Sequence, residues 1–324
     1  MKKNSKIFVA GHNGLVGSSI LRLLNEEGYK NIVVKSHAEL DLSRQVEVAQ
    51  FFKDESPEYV FLAAAKVGGI IANATQPAEF FFNNISIHTN IIHHSYLSGV
   101  KRLLFLGSSC IYPRECPQPI KEEYLMTGPL EPTNDAYAMA KIAGIKMCEA
   151  YNRQYKTEFI AAMPTNLYGP NDNFNETSSH VVPATIRKLS DAAEKNVGQI
   201  TFWGTGSPRR EFLHVDDMAR ACLLLMNMDK TVLDSFFPGD KPPIVNVGYG
   251  SDMTIKELVE LTAQLVNFKG SINWDTSKPD GTPRKLLNST KMTKLGWSPK
   301  ISLEKGLQSA ILWYQTNKSK EIKL

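Results

Sequence analysis

The chain has 324 residues, of which 42% are hydrophobic and 22% are charged, and its formal net charge is +4. This length is enough for one large domain or two closely packed ones. A net charge this small does not favour a nucleic acid as the partner. The apolar stretch near the N-terminus lasts only from Ile7 to Ala10, and no apolar run approaches the ~20 residues of a membrane span. We therefore expect a cytoplasmic protein with neither a nucleic-acid nor a membrane partner.

The cysteines give no sign of a metal site or a disulfide framework. No two of them have C-x-x-C spacing, and no histidine cluster accompanies them. Cysteines this sparse are typical of a reducing compartment. The four positions are Cys110, Cys116, Cys148 and Cys222.

The first half of the chain alternates strand-like and helix-like segments. After Gly14, apolar residues from Leu15 to Leu24 form one helical stripe, and Gly28 marks its end. The strand-like runs are short and continuously apolar, as in strands buried on both faces. They are Lys6–Ala10, Asn31–Lys35, Glu58–Ala65, Lys101–Gly107 and Glu158–Met163. This alternation predicts an α/β fold with a doubly wound parallel sheet and right-handed crossovers.

The second half is less regular, and we expect it to contribute a smaller α/β domain. One helix is expected after Thr254, where Thr-Ile-Lys-Glu has capping-box spacing, and another through Leu303 and Tyr314. Pro- and Gly-containing loops separate these elements and are expected to carry binding groups. They are Tyr168–Ser178, Gly204–Arg210 and Ser277–Arg284. We assign residues 1–167 and about 211–248 to a cofactor domain, and residues 168–210 and 249–324 to the substrate domain.

A glycine-rich turn follows the first strand. It reads Gly11-His12-Asn13-Gly14-Leu15-Val16-Gly17 and leads into the predicted helix. Glycines allow the sharp turn and the close approach of a pyrophosphate, which the helix N-terminus then binds. In an alternating chain, this placement indicates a nicotinamide dinucleotide.

The end of the second strand suggests which dinucleotide is bound. NAD enzymes usually carry Asp or Glu there, whereas NADP enzymes place cationic groups near the 2′-phosphate. The chain has Lys35-Ser36-His37 at this point. This favours NADP(H), although Lys35 also fits an ordinary solvated strand end.

A reductive site is predicted where the fourth strand ends. Ser108 follows that strand, and Tyr137 and Lys141 share one helix face about thirty residues later. A nearby ammonium favours tyrosinate, so we expect a lowered pKa for Tyr137. Tyr137 would then donate a proton to a carbonyl oxygen, with Ser108 bonded to the same oxygen.

These features resemble the extended short-chain dehydrogenase/reductases. Within them, the chain resembles the family of bifunctional GDP-4-keto-6-deoxymannose 3,5-epimerase/4-reductases, the GDP-L-fucose synthases. The stretches SSCIYP and KPDGTPRK are the most specific. The resemblance is carried by Gly11–Gly17, Leu62–Ile70, Leu103–Pro113, Leu130–Asn134, Tyr137–Lys146, Pro164–Phe174, Glu211–Asp217 and Lys278–Leu287.

The resemblance implies that a GDP-linked 4-keto sugar is inverted at C3 and C5 and then reduced at C4 by NADPH. Cys110 and His180 would exchange the C3 and C5 protons, for which the pKa of the Cys110 thiol must be lowered. Without the resemblance, Cys110 would be interpreted as a small core residue and His180 as a structural histidine. Tyr137 would protonate the C4 oxygen, with Lys141 holding the nicotinamide ribose.

The resemblance also implies the binding residues. Besides Lys35, His37, Tyr137 and Lys141, the cofactor would contact Gly11, Asn13, Gly14, Leu15, Val16, Gly17, Asp41, Leu42, Ala63, Ala64, Ala65, Pro164, Asn166, Leu167 and His180. The GDP-sugar would contact Ser108, Ser109, Cys110, Asn166, Lys188, Trp203, Arg210, Asp280 and Lys285. No metal is implied, and a homodimer is expected through the helices after Pro77 and Asn134.

Departures from the family pattern leave the choice of substrate open, and a second alternative belongs to a different class of protein. Asn13 and His37 stand where basic residues are usual, which weakens the expected grip on the 2′-phosphate. Lys188 replaces an arginine and lacks its planar fork. One alternative is a C4 reductase for a related GDP-heptose or dideoxy sugar. The other is a non-catalytic module that senses the NADPH/NADP ratio, against which the presence of Ser108, Tyr137 and Lys141 argues.

Overall fold

A six-stranded parallel sheet forms the centre of the computed structural model, which describes residues 1–176, 178–239, 241–278 and 280–321. The strands are β1 Ile7–Ala10, β2 Ile32–Val33, β3 Tyr59–Leu62, β4 Arg102–Leu106, β5 Phe159–Pro164, β6 Asn166–Tyr168, β7 Gln199–Trp203, β8 Arg209–Arg210, β9 Phe212–His214, β10 Ile244–Val247, β11 Met253–Thr254, β12 Ser271–Asp275 and β13 Arg284–Lys285. The helices are α1 Leu15–Glu26, α2 Gln45–Glu55, α3 Ile70–Thr75, α4 Pro77–Leu97, α5 Asp135–Tyr155, α6 Val181–Glu194, α7 Val215–Asn227, α8 Lys230–Phe236, α9 Ile255–Leu265, α10 Thr290–Lys294 and α11 Leu303–Glu321.

The strand order in the sheet is β10-β5-β4-β3-β1-β2. The chain runs from β1 outward to β2 and then returns to the other side of β1 for β3. This reversal leaves a crevice at the carboxyl ends of β1 and β3, where open α/β sheets bind their ligands. The predicted doubly wound parallel fold is therefore confirmed.

Apolar layers cover both faces of this sheet. α1 and α7 pack together on one face, and α2, α4 and α5 cover the other. Every residue of β1, β4 and β10 is buried, which explains their continuous apolar runs. β2 is an edge strand with two half-buried residues, so the predicted run Asn31–Lys35 pairs over only Ile32–Val33.

Short strands organise the second half of the chain. β8 pairs with β11 and β13, β7 pairs with β12, and β6 pairs with β9. The segments predicted as the loops Gly204–Arg210 and Ser277–Arg284 therefore end in β8 and β13, which pair with each other in parallel. Residues this polar give no alternating apolar pattern, so the sequence did not reveal them as strands.

The predicted helix after Thr254 is confirmed as α9, and its capping box is complete. The Glu257 amide donates to Thr254 Oγ1 at 3.1 Å, and the Thr254 amide donates to Glu257 Oε2 at 2.7 Å. α9 packs with α6 and α11 around a separate apolar cluster that includes Phe174 and Tyr314. None of the helices in the described part of the chain has the length and apolarity that a membrane crossing requires.

Candidate active site

The glycine turn after β1 is built from two backbone contacts that exclude a side chain. Gly11 has a φ of +85°, and a Cβ there would lie 2.6 Å from the amide nitrogen of Ala64. A Cβ on Gly17 would overlap the carbonyl oxygen of Gly11. A Cβ on Gly14 would meet that oxygen at an ordinary 3.5 Å. Gly11 and Gly17 are thus required by the fold, whereas Gly14 leaves the space in front of the helix open.

The N-terminus of α1 fits a pyrophosphate. Gly14 is its N-cap residue and has no side chain to accept from the first amides, and the first turn carries no acidic residue. Free amides and the positive end of the helix dipole therefore face the crevice. The groups present in this turn match what a dinucleotide requires.

The turn after β2 contains an acidic residue that the sequence reading missed. Glu39 Oε2 accepts hydrogen bonds from the Ser36 amide at 2.8 Å and from Ser36 Oγ at 2.6 Å. These bonds hold the pKa of Glu39 below its usual value, with Lys35 and His12 acting in the same direction. Lys35 is partly buried and His37 is exposed. The strand end therefore carries an acid as well as a cation. The Ser-x-x-Glu spacing, which is that of a capping box, is the sequence signal that could have revealed Glu39.

The next predicted cofactor contacts line the same edge of the sheet. Asp41 Oδ1 accepts from Ser43 Oγ at 2.7 Å, which lowers the pKa of Asp41. The carbonyl oxygen of Leu42 accepts from Asn90 Nδ2 at 3.0 Å. Three partly buried alanines continue from β3, and the first pairs with the end of β1. They are Ala63, Ala64 and Ala65.

Ser108, Tyr137 and Lys141 meet beyond the carboxyl end of β4. Ser108 Oγ accepts from the Cys110 amide at 3.3 Å and so starts a 3₁₀ turn over Ser109–Ile111. Lys141 is only 3% exposed and donates from Nζ to the carbonyl oxygen of Leu106 at 2.7 Å. Its Nζ lies 5.8 Å from the centre of the Tyr137 ring. The predicted juxtaposition of tyrosine and lysine is present.

Burial governs the protonation of this cluster. It lowers the pKa of Lys141 to about 8, against the opposing charge of Cys110. It also raises the pKa of Tyr137, to which Cys110 adds, while a hydrogen bond with Ser108 opposes the rise. The expected lowering of the Tyr137 pKa is therefore wrong, because desolvation of the buried phenol outweighs the hydrogen bond with Ser108. Tyr137 is a neutral phenol, ready to donate a proton.

Cys110 and His180 lie on different segments. Cys110 is 7% exposed, and burial raises the pKa of its thiol; Lys285, a hydrogen bond with Ser108 and Lys141 oppose that rise. The lowered thiol pKa that the resemblance required is absent. His180 directly precedes α6. The residue is exposed at the surface, but protein atoms packed around its ring still desolvate the imidazole and lower its pKa.

A second group of predicted residues is held by β6, β8 and β13. Asn166 Nδ2 donates to the carbonyl oxygen of Glu211 at 2.9 Å, between the partly buried Pro164 and Leu167. Arg210 Nη1 donates to the carbonyl oxygens of Arg209 and Thr282 at 2.8 and 2.6 Å. Lys285 lies opposite Arg210 in register. Two cations thus stand side by side on paired strands.

The other three predicted substrate residues are exposed. Lys188 donates from Nζ to the carbonyl oxygen of Thr201. Trp203 is 64% exposed, with Lys278 Nζ 5.8 Å from its ring centre. Asp280 accepts from the Thr205 amide at 2.9 Å and from Thr205 Oγ1 at 2.7 Å. Asp280 therefore joins the loop Ser277–Arg284 to the loop Gly204–Arg210 through hydrogen bonds.

Glu211 is a buried acid bonded to residues around the site, and the sequence analysis did not predict it as a site residue. It is fully buried, and its carboxylate accepts from the Gly250 amide at 2.7 Å and the Leu287 amide at 3.1 Å. Burial raises its pKa, and these backbone bonds oppose the rise. The carboxylate links the segments that follow β10 and β13. Its only sequence signal was an acidic residue directly between the polar β8 and the apolar β9.

Fold and site together define a dinucleotide-dependent enzyme of the short-chain dehydrogenase type. The chain belongs to the NAD dependent epimerase/dehydratase family, whose model matches residues 7–248. It is 55% identical to GDP-L-fucose synthase 1 of Arabidopsis thaliana, over 97% of this chain and 94% of that protein. It is 49% identical to GDP-L-fucose synthase of Escherichia coli, over 97% and 98%. Among solved structures, a GDP-mannoheptose C4 reductase from Campylobacter jejuni with NADP bound matches with a TM-score of 0.88 and 41% identity, over 97% and 99%.

Proposed function

We propose that this enzyme inverts C3 and C5 of GDP-4-keto-6-deoxymannose and then reduces C4, giving GDP-L-fucose. The observation that carries the proposal is the meeting of Ser108, Cys110, Tyr137 and Lys141 beyond the end of β4. Reduction alone needs only the serine, tyrosine and lysine, whereas Cys110 beside them supplies a group for proton exchange. The two relatives named GDP-L-fucose synthase support this choice of substrate.

Each residue then has a chemical role. Cys110 and His180 remove and return the protons on C3 and C5, which the 4-keto group acidifies. Bound NADPH supplies hydride to C4. Tyr137 donates its phenolic proton to the C4 oxygen, and Ser108 hydrogen-bonds the same oxygen. Lys141 holds the nicotinamide ribose and stabilises the tyrosinate that forms.

We propose NADP(H) as the cofactor, with its pyrophosphate on the N-terminus of α1 and its 2′-phosphate beside Lys35. The remaining contacts follow the edge of the sheet from the glycine turn through Asp41 and Ala65 to Leu167. The NADP-bound relative supports this assignment. Glu39 reduces the preference for NADPH over NADH, because its carboxylate stands near the same strand end.

The GDP moiety lies between the sheet and the second half of the chain. Arg210 and Lys285 neutralise the diphosphate, and Lys188, Trp203 and Asp280 border the open side of the cleft. This assignment follows the proposed division into residues 1–167 with about 211–248, and residues 168–210 with 249–324. The paired strands β8 and β13 belong to the wall of the second domain.

We further propose a cytoplasmic homodimer that pairs α4 and α5 with their copies. α4 and α5 pack against each other, and apolar side chains remain on their outer faces. Phe82 is 65% exposed, Leu97 59% and Met139 45%. A second copy would cover these side chains and form a four-helix bundle.

The substrate is tested by comparing kcat/KM for GDP-4-keto-6-deoxymannose and a GDP-4-keto-heptose, with NADPH. We expect the 6-deoxyhexose to be preferred. A preference for the heptose would replace the proposal with the second candidate, a C4 reductase without epimerisation. That candidate is favoured by the neutral thiol of Cys110 and by the likeness to the GDP-mannoheptose C4 reductase.

A further inference from the structure

The loop of residues 66–69, between β3 and α3, is held in place by two buried asparagines. The Lys66 amide donates to Asn84 Oδ1 at 3.0 Å, and Asn84 Nδ2 donates back to the carbonyl oxygen of Lys66 at 2.9 Å. Asn73 Nδ2 donates to the carbonyl oxygen of Gly68 at 2.7 Å. Asn84 is fully buried and Asn73 is 8% exposed. The loop is therefore tied to α4 at its start and to α3 near its end.

This loop contacts the reductive cluster through one aromatic ring. A Cβ on Gly68 would lie 3.0 Å from Cζ of Phe80, so the bare backbone packs directly on that ring. Phe80 is 2% exposed, and its ring centre lies 6.4 Å from that of Tyr137, at an interplanar angle of 81°. The loop thus supports, through Phe80, the phenol that serves C4 reduction.

The last residue of the loop contacts the segment that carries His180. The Gly69 amide donates to the carbonyl oxygen of Ser178 at 3.0 Å. A Cβ on Gly69 would lie 3.1 Å from the carbonyl oxygen of Ser179 and 3.5 Å from that of Ser178, so the two backbones are in close contact. Ser178 and Ser179 are the two residues directly before His180. Gly69 therefore joins the two segments that carry the reductive and the proton-exchanging groups.

The backbone of His180 is fixed on both sides. His180 is the N-cap residue of α6, and its carbonyl oxygen accepts from the Ala184 amide at 3.0 Å. On the other side, the hydrogen bond between Gly69 and Ser178 holds the residues that lead into it. Since the backbone sets the direction of the Cα–Cβ bond, this hydrogen bond controls where the imidazole begins.

We propose that Gly69 is a positioning residue, whose amide holds the carbonyl of Ser178 and thereby aligns the His180 imidazole for proton exchange on the bound sugar. The inference rests on the proposed function and adds to it a residue that acts through His180. Gly69 acts on exchange and not on C4 reduction, because the support of Tyr137 by Phe80 does not involve this hydrogen bond. A reacting group displaced by about 1 Å can lower a rate by about a hundredfold.

Two substitutions at Gly69 separate the lost donor from the added side chain. The φ of Gly69 is −66°, which proline also adopts, so Gly69→Pro removes the N–H without requiring a new backbone angle. Gly69→Ala adds a Cβ in the same place but keeps the donor, and it is the matched control. Asn73→Asp is a second variant, which loosens the same loop by removing the donor to the carbonyls of Gly68 and Gly69. Circular dichroism checks that each variant is folded.

Two reactions are measured for the wild type and each variant. The first is proton exchange alone: GDP-4-keto-6-deoxymannose is incubated in deuterium oxide with NADP⁺ and no reductant, and NMR follows the replacement of the C3 and C5 protons by solvent deuterons. The second is the reverse of C4 reduction: GDP-L-fucose gives hydride from C4 to NADP⁺ and its hydroxyl proton to the tyrosinate of Tyr137. This oxidation needs no exchange at C3 or C5, and the absorbance of NADPH follows it.

We expect Gly69→Pro to lower the rate of proton exchange by about tenfold to a hundredfold and to leave GDP-L-fucose oxidation within about twofold of the wild type. Gly69→Ala should keep both rates, and Asn73→Asp should lower exchange more than oxidation. Equal losses of exchange and oxidation in Gly69→Pro would overturn the inference, as would an exchange rate equal to that of Gly69→Ala. If Gly69→Pro does not fold, equal losses in Asn73→Asp overturn it instead. A wild type that oxidises GDP-L-fucose but exchanges no carbon-bound proton would overturn the proposed function itself, and this inference with it.

Discussion

The ammonium of Lys141 donates a hydrogen bond to the carbonyl oxygen of Leu106, 2.7 Å away at the end of β4. The strand thus fixes the lysine against the sheet, and burial there lowers its pKa to about 8. Lys141 is therefore charged at neutral pH but loses its proton at a mildly alkaline pH at which most lysines remain protonated.

This pKa predicts the alkaline limit of the reductase. We expect kcat/KM for C4 reduction to fall as pH rises through about 8, because a neutral Lys141 no longer stabilises tyrosinate at Tyr137. In Lys141→Arg the charge persists to far higher pH, so this limb should disappear even though the rate is lower. Initial rates of NADPH oxidation against pH test both statements. A wild-type profile that stays level well above this pH would contradict the role of Lys141.

Tyr137→Phe separates the two halves of the proposed reaction. We expect kcat for reduction to fall by about a hundredfold to ten-thousandfold, because the C4 oxygen loses its proton donor. Proton exchange at C3 and C5 should continue, since it uses Cys110 and His180. Fluorescence titration should show NADPH binding unchanged. Equal losses of exchange and reduction would mean that Tyr137 has a different task.

Gly14 and Gly17 form a matched pair for testing the cofactor cradle. Gly17→Ala forces a methyl group into the carbonyl of Gly11, so we expect a loss of about 3 kcal/mol in the free energy of unfolding and no NADPH binding. Gly14→Ala meets only an ordinary contact at 3.5 Å and should remain as stable as the wild type. Its methyl group would still weaken NADPH binding if the pyrophosphate lies there. Urea unfolding and fluorescence titration measure the two effects, and tight NADPH binding by Gly17→Ala would refute the cradle.

Glu39 predicts a shift in cofactor preference. Glu39→Gln removes the carboxylate that is hydrogen-bonded to Ser36, so a 2′-phosphate beside Lys35 meets less repulsion. We expect the ratio of NADPH to NADH affinity to rise by about twofold to fivefold, the range for an exposed charge pair. Dissociation constants for both dinucleotides provide the readout, and Glu304→Gln in the first turn of α11 is the control. A ratio that does not move, or that falls, would remove Glu39 from cofactor selection.

The sequence predicted most accurately what depends on apolar pattern or glycine spacing. Five of the six strands of the central sheet and α1 follow from continuous apolar runs and one helical stripe, and Gly11 and Gly17 follow from the turn between β1 and α1. The sixth strand, β10, was not predicted. The sequence was less informative where polar residues form strands or turns. β8 and β13 are Arg-Arg and Arg-Lys pairs without an apolar period, and Glu39 reaches its position by folding back on Ser36. The direction of the Tyr137 pKa was missed because burial of the phenol is a property of the folded cleft.

We propose that one active site both exchanges the C3 and C5 protons of the sugar and reduces its C4 carbonyl. The most direct measurement is the reaction of GDP-4-keto-6-deoxymannose with unlabelled NADPH in deuterium oxide, with the product examined by NMR. We expect a galacto-configured product that carries deuterium at both C3 and C5. A reduced product without deuterium at these carbons would contradict the epimerase role of Cys110 and His180 and would leave a C4 reductase.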